Sequence, residues 1–305
     1  MNNYGLCCLL QQPTEEYKVN RTFQKKESFL IDKENSLKET SRKIIDNIKG
    51  TINMVSFCIK NNIKVYRMSS GIFTFMEFYE FEDLPYYDKI QNLLKGLGII
   101  IIKNNMRVSF HPDHFVKLAT SNKELLEQSI KTLNQHSKIF DLMGFPADHN
   151  SHILVHIGGG YSNKLLTLQT FCDNFLLLDN NTKNRLTIEN DDCSACYTVK
   201  DLYDNVYKII KTPIVIDTFH HSLHNINIDK SVLSLEQALD LAKETWLNIR
   251  PVAHHSSSAK IHEDNTKAPK SHADYIYDKF QGDGFDVELE AKAKELALLK
   301  YVKQF

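Results

Sequence analysis

No stretch of this sequence approaches the roughly 18 consecutive apolar residues that a membrane-spanning helix needs. The longest run, residues 97–102, is interrupted by Gly98, so a membrane span is not expected. No charge of one sign dominates: 37 Lys and Arg stand against 38 Asp and Glu, a formal net charge of −1. Such a chain exerts no global pull on a polyanion, so any nucleic-acid contact must come from a local basic stripe beside its acidic groups.

Also missing are an apolar leader, a fixed-period repeat and a low-complexity tract, which removes the secretory, solenoid and linker readings. The basic pair Lys25 and Lys26 is too short for a targeting signal. Cysteine is sparse and scattered, at Cys7, Cys8, Cys58, Cys172, Cys193 and Cys196, which suggests a reducing, intracellular setting. With 42% hydrophobic and 25% charged residues, the composition suits a soluble protein with a large core. A monomer is the simplest expectation.

What is present is an alternation of short β-branched runs with longer amphipathic stretches. The runs fall at residues 4–9, 63–68, 106–111, 152–157, 185–190, 213–218, 250–255 and 285–290. Helical periodicity occupies 36–59, 123–143, 164–178, 199–211, 235–247 and 290–302, while 11–35 and 256–272 are too polar for core. Eight βα units predict a single (β/α)8 TIM-type barrel over residues 1–305; the strand count favours it over a doubly wound open sheet.

Barrel catalysis sits at the C-terminal strand ends. Six consecutive runs end in metal-ligand chemistry: His111, His156, Glu189, Asp217 with His220 close behind, His254 and Glu290. A closed barrel would gather them on one rim. Buried carboxylates ending apolar strands are costly unless paired or bound to metal, so the joint pattern predicts a multinuclear centre. Its oxygen and nitrogen donors suit Mn²⁺ or Zn²⁺ and, less well, Mg²⁺ alone. Cys193 and Cys196 have CxxC spacing but no second pair, and carry no assigned role. Gly158-Gly159-Gly160 reads equally as a phosphate cradle or a tight turn.

The segments HPDHF (111–115), HIGGGYSNK (156–164), RLTIENDD (185–192), DTFHH (217–221) and ELEAKAKELALL (288–299), in that order, resemble the UV damage endonuclease family, fold relatives of endonuclease IV. NRTF (20–23), VYRMSS (65–70), DLMG (141–144) and SHADYI (271–276) extend the likeness almost end to end.

The resemblance implies a barrel with up to three divalent ions, Mn²⁺ first among them, that nicks UV-damaged double-stranded DNA 5′ of cyclobutane dimers and (6-4) photoproducts and leaves a 3′-hydroxyl. It makes His111, His156 and Glu189 ligands of a first metal. Glu189 then bridges to a second, held also by Asp217, His254 and Glu290, while His220 and His272 serve a third. Lys164 joins Glu189, Asp217 and Glu290 as catalytic groups. Arg67, Tyr161 and Lys164 hold DNA phosphates, and His114 with Phe115 forms the wedge that opens the base stack. Relatives commonly carry Gln and Tyr at the wedge, which alters hydrogen bonding to the lesion. Val252 replaces a carboxylated lysine of some relatives, leaving the third site weaker or completed by His255 or water, and Leu6 replaces a tyrosine.

Three alternatives share these residues: an apurinic-site endonuclease, a metal-dependent sugar isomerase or epimerase, and a non-catalytic binding module. Lys260, Lys267 and Lys270 favour an extended polyanion over an enclosed sugar.

Overall fold

The computed structural model describes residues 1–22, 29, 31–158, 163–193, 196–224 and 232–305. Eight parallel strands, β1 (Asn3–Cys7), β2 (Val65–Met68), β3 (Arg107–Phe110), β4 (Ile153–His156), β5 (Leu186–Glu189), β6 (Ile214–Asp217), β7 (Val252–His255) and β8 (Asp286–Leu289), close into a barrel in chain order. Strand β8 pairs with both β7 and β1. All eight expected runs become strands, each shorter than its sequence window.

Side chains alternate across each strand. Those pointing outward, such as Leu6, Tyr66, Val108, Ile188 and Ile216, join the main apolar core beneath the helices. A smaller cluster of Leu154, Val215, Trp246 and Val252 plugs the N-terminal end of the barrel. There Trp246 donates its indole N–H to the Ile214 carbonyl at 2.8 Å, with the Arg107 guanidinium 5.0 Å from its ring centroid.

The helices follow from periodicity and caps. Helix α1 (Lys33–Lys60) starts at Asp32, which accepts from the Asn35 amide. Helix α3 (Lys123–Met143) matches the expected span; Asn122 caps its start, and Gly144 ends it at φ 84°, where a side chain would be strained. The intervening α2 (Tyr87–Lys103) escapes the periodicity reading because its run of four isoleucines, Ile99 to Ile102, blurs the polar face.

Further on are α4 (Lys164–Phe175), α5 (Val199–Leu202), α6 (Thr218–Leu223), α7 (Leu235–Glu244) and α8 (Lys294–Gln304). Three expectations need correction: the segment 11–35, read as too polar for core, gives Val19 and Phe29 to the main apolar core. The helix expected over 199–211 is interrupted by a π turn at Tyr203–Tyr207. The last helix begins at Lys294 rather than at 290, because Lys294 stands at φ 47°, a left-handed conformation that an α-helix cannot run through. No helix among the described residues is long and apolar enough to cross a membrane.

Candidate metal centre at the barrel rim

Glu189 ends β5 fully buried, and its two carboxylate oxygens face different partners. Oε1 lies 2.8 Å from His254 Nδ1, while Oε2 lies 3.3 Å from His111 Nε2 and 3.2 Å from His156 Nε2. Two donor groups result, His111–His156–Glu189 and Glu189–Asp217–His254, each with ligand atoms within 4.8 Å of one another.

Asp217 ends β6 and leads straight into α6. Its Oδ1 accepts from the amides of Phe219 and His220, at 2.7 and 2.8 Å. Asn190 locks it from the side, accepting from the Asp217 amide and donating to the Asp217 carbonyl. One oxygen of this carboxylate is consumed by the helix start; Oδ2 is buried with no hydrogen-bond partner, and Glu189 Oε2 meets only the imidazoles of His111 and His156. Uncompensated buried acceptors are expensive. Beside imidazole nitrogens they are the donor set a divalent cation satisfies, so the residues present fit a metal.

The electrostatics agree with a centre built for cations. Burial works to raise the Glu189 carboxyl, but His254 and His156 override it and hold it well below the usual range. Burial likewise opposes charge on His156, yet Glu189 and Asp191 raise it to about 9. His254 moves well upward because Glu189 and Glu290 outweigh its burial. His111 moves down through burial. In the absence of cations, protons on imidazole balance the carboxylates.

Glu290 stands at the rim just beyond β8, with the Arg67 guanidinium bonded to its Oε1. Arg67 is thus drawn into the cleft floor. His220 donates from Nδ1 to the Asn190 carbonyl at 3.0 Å, leaving Nε2 3.7 Å from Asp217 Oδ2. The His272 ring is 6.3 Å from that of His220, and neither falls in the two tight groups. His255 is not available to complete a third site: Nδ1 bonds Thr218 Oγ1 and Nε2 bonds the Asp278 carbonyl. Val252 lies two residues deeper than His254 in the apolar plug, and Leu6 is buried in the outer core.

A cleft of about 580 Å³ runs from His111, His156, His220 and Glu290 to His114 and Lys117. His114 and Phe115 lie on this β3–α3 loop with ring centroids 4.1 Å apart, and Phe115 is 70% exposed. Lys164 opens α4 beside Asp201 at 3.7 Å, outside both donor groups. Tyr161, Gly159 and Gly160 lie outside the described residues. Cys193 and Cys196, read without a role, are joined by a disulfide, and Cys196 borders the cleft.

Two polar residues escaped the sequence reading. Asp191 Oδ1 lies 3.1 Å from His156 Nδ1. Glu288 sits one inward step below Glu290; the two-residue acidic repeat Asp286, Glu288, Glu290 was the signal that could have found it.

Fold and donor set together define a (β/α)8 barrel with a clustered imidazole and carboxylate centre at the C-terminal strand ends. Residues 3–305 match the family model described as UV-endonuclease UvdE, and the chain belongs to that family. A UV DNA damage endonuclease of Bacillus cereus (strain Q1) is 31% identical over 285 residues, covering 90% of this chain and 84% of the relative. The crystal structure of SacUVDE superposes with a TM-score of 0.81 at 26% identity, covering 100% of this chain and 98% of that one. D-Psicose 3-epimerase from Clostridium cellulolyticum H10 reaches a TM-score of 0.53 at 11% identity, over 95% and 84% of the two chains, a likeness of fold alone.

Proposed function

We propose that this chain is a metal-dependent repair endonuclease that cuts UV-damaged double-stranded DNA on the 5′ side of cyclobutane dimers and (6-4) photoproducts and leaves a 3′-hydroxyl. The observation that carries this reading is the division of Glu189 between two donor groups, Oε2 toward His111 and His156 and Oε1 toward His254. A carboxylate so placed suits two adjacent cations. Asp217 and Glu290 would complete the second site, and His220 with His272 would border a third. Divalent ions held there, Mn²⁺ first among them, would supply nucleophile activation and neutralise charge on the attacking and leaving oxygens.

The chain's own groups do the rest. Asp217 is held still by its helix cap, so its free oxygen meets the reacting region without reorganising. Arg67 keeps Glu290 aligned at the rim. His114 at the cleft's edge and Phe115 beside it, both exposed, enter the stack at a site already weakened by the photoproduct. Lys164 and Lys117 border the path of the flanking backbone and favour phosphate.

The test is nicking of a duplex with one defined cyclobutane dimer, beside undamaged and abasic duplexes, with Mn²⁺ or EDTA and with Glu189→Gln. Metal-dependent cleavage 5′ of the dimer, abolished by the variant, is expected. Cleavage of the abasic duplex alone would move the protein to the apurinic-site class, and no cleavage of any duplex would overturn the nuclease reading.

A further inference from the structure

We infer that Glu288 is a positioning residue that decides which nitrogen of His254 faces the metal centre. The inference rests on the reading of the rim as a metal site, but not on the reaction performed there.

The pleat of β8 turns Asp286, Glu288 and Glu290 to the barrel interior, spaced by two residues each, roughly 7 Å along the strand. Each acid has its own counterpart. At the floor Asp286 meets Arg107 at 3.1 Å and Arg250 at 2.7 Å. At the rim Glu290 meets Arg67. Glu288 lies between them, fully buried and directly in register with His254 on β7. Its Oε1 accepts from Ser109 Oγ at 2.5 Å, and its Oε2 lies 3.1 Å from His254 Nε2 and 3.7 Å from Arg67 Nη1.

An ionised carboxylate accepts hydrogen bonds and donates none, so the His254 Nε2 that meets it must carry a hydrogen. Glu288 stands among donors: the Ser109 hydroxyl at Oε1, and at Oε2 the His254 ring, with the permanent Arg67 cation 3.7 Å away. The opposite ring nitrogen, Nδ1, lies 2.8 Å from Glu189 Oε1 and 3.3 Å from Glu290 Oε1. A divalent cation held there would face Nδ1, whose lone pair is the one left to offer once Nε2 carries the hydrogen.

With an apolar side chain at 288, this selection fails. The Nε2–H would be left unpaired in a fully buried place, and the neutral ring would favour Nδ1–H donated to Glu189, with its lone pair turned away from the site. Carboxylates that orient ligand histidines in this way are generally worth tenfold to a hundredfold in metal affinity.

A competing explanation is that Glu288 only balances the buried charge of Arg67. Glu288→Gln and Glu288→Met separate the two. The Gln carbonyl still accepts from His254 Nε2–H while its NH₂ donates to the Ser109 hydroxyl, but its charge is gone. Met loses both functions. We would titrate Mn²⁺ and Zn²⁺ alone into the full-length protein by calorimetry and read the His254 tautomer from ¹⁵N–¹H spectra of ring-labelled, Zn²⁺-loaded protein.

Expected are an Nε2–H tautomer in the wild type, affinity within about threefold of it for Glu288→Gln, and a loss of about tenfold to a hundredfold for Glu288→Met. Equal losses in both variants, or no loss in Glu288→Met, would overturn the assignment. Should Glu288→Met fail to fold, the wild-type spectrum decides alone: a loaded His254 protonated at Nδ1 refutes the inference. Metal binding with the expected tautomer but no cleavage of DNA supports the Glu288 role and sinks only the endonuclease reading.

Discussion

Asp217 caps the helix that carries His220: its Oδ1 takes the His220 amide at 2.8 Å while Oδ2 stays without a hydrogen bond in the buried site. Strand end, helix start and candidate ligand carboxylate are one residue. Asp217→Asn should therefore keep the cap through its amide oxygen, and its melting temperature should change little. Asp217→Ala should lose about 1 kcal/mol from the cap. Both should bind divalent metal far more weakly. Calorimetric titration beside thermal melts checks this, and unimpaired metal binding in Asp217→Asn would remove the residue from the ligand set.

The raised His156 gives a pH dependence of definite sign. Its pKa rises from 6.5 to about 9 in the folded, metal-free protein. The protonated ring then stabilises the fold fully below pH 6.5, and that contribution fades as pH climbs through about 9. The metal-free protein should lose at most roughly 3 kcal/mol across this interval. Metal affinity should rise over the same interval, because binding displaces the proton. Melts and metal titrations from pH 6 to 9, flat in both respects, would count against the assignment.

Arg67 was read from sequence as a phosphate contact, but its guanidinium meets Glu290 and lies 3.7 Å from Glu288. Arg67→Met strips the buried Glu288 and the part-buried Glu290 of their permanent cation and should destabilise the metal-free protein by about 3–5 kcal/mol. Added Mn²⁺ should recover part of that loss by serving Glu290. A phosphate contact predicts instead an unchanged melt and a shallower salt dependence of DNA binding.

Phe115→Ala should leave stability unchanged, since the ring is 70% exposed. Loss of one stacked base costs about 1–3 kcal/mol, so affinity for a dimer-containing duplex should fall roughly fivefold to 150-fold. Binding to undamaged duplex should fall less. Anisotropy titrations with both duplexes measure the difference, and equal losses would show that Phe115 does not read the lesion.

Much of the molecule was legible in the chain. Local chemistry sets the βα rhythm: β-branched runs of four to six residues bounded by polar turns, caps such as Asn122 and Asp32, and the stop at Gly144. The rim residues were legible for the same reason, because a carboxylate or imidazole ending an apolar strand is a local anomaly with few explanations. Helix α2 was hidden because Ile99 to Ile102 show no polar face, although two of these isoleucines, Ile99 and Ile102, end up exposed.

Closure decided what no local pattern carries. Only the barrel brings Glu189 of β5 between His111 and His156 on one side and His254 on the other, and only pleat and register set Glu288 against His254. The same closure turns Arg67 inward to two acids more than 200 residues away in the chain. Sequence specifies which side chains each strand offers to the interior. Which of them meet, and through which atom, depends on the stagger of eight strands, a property of the closed sheet and not of any segment.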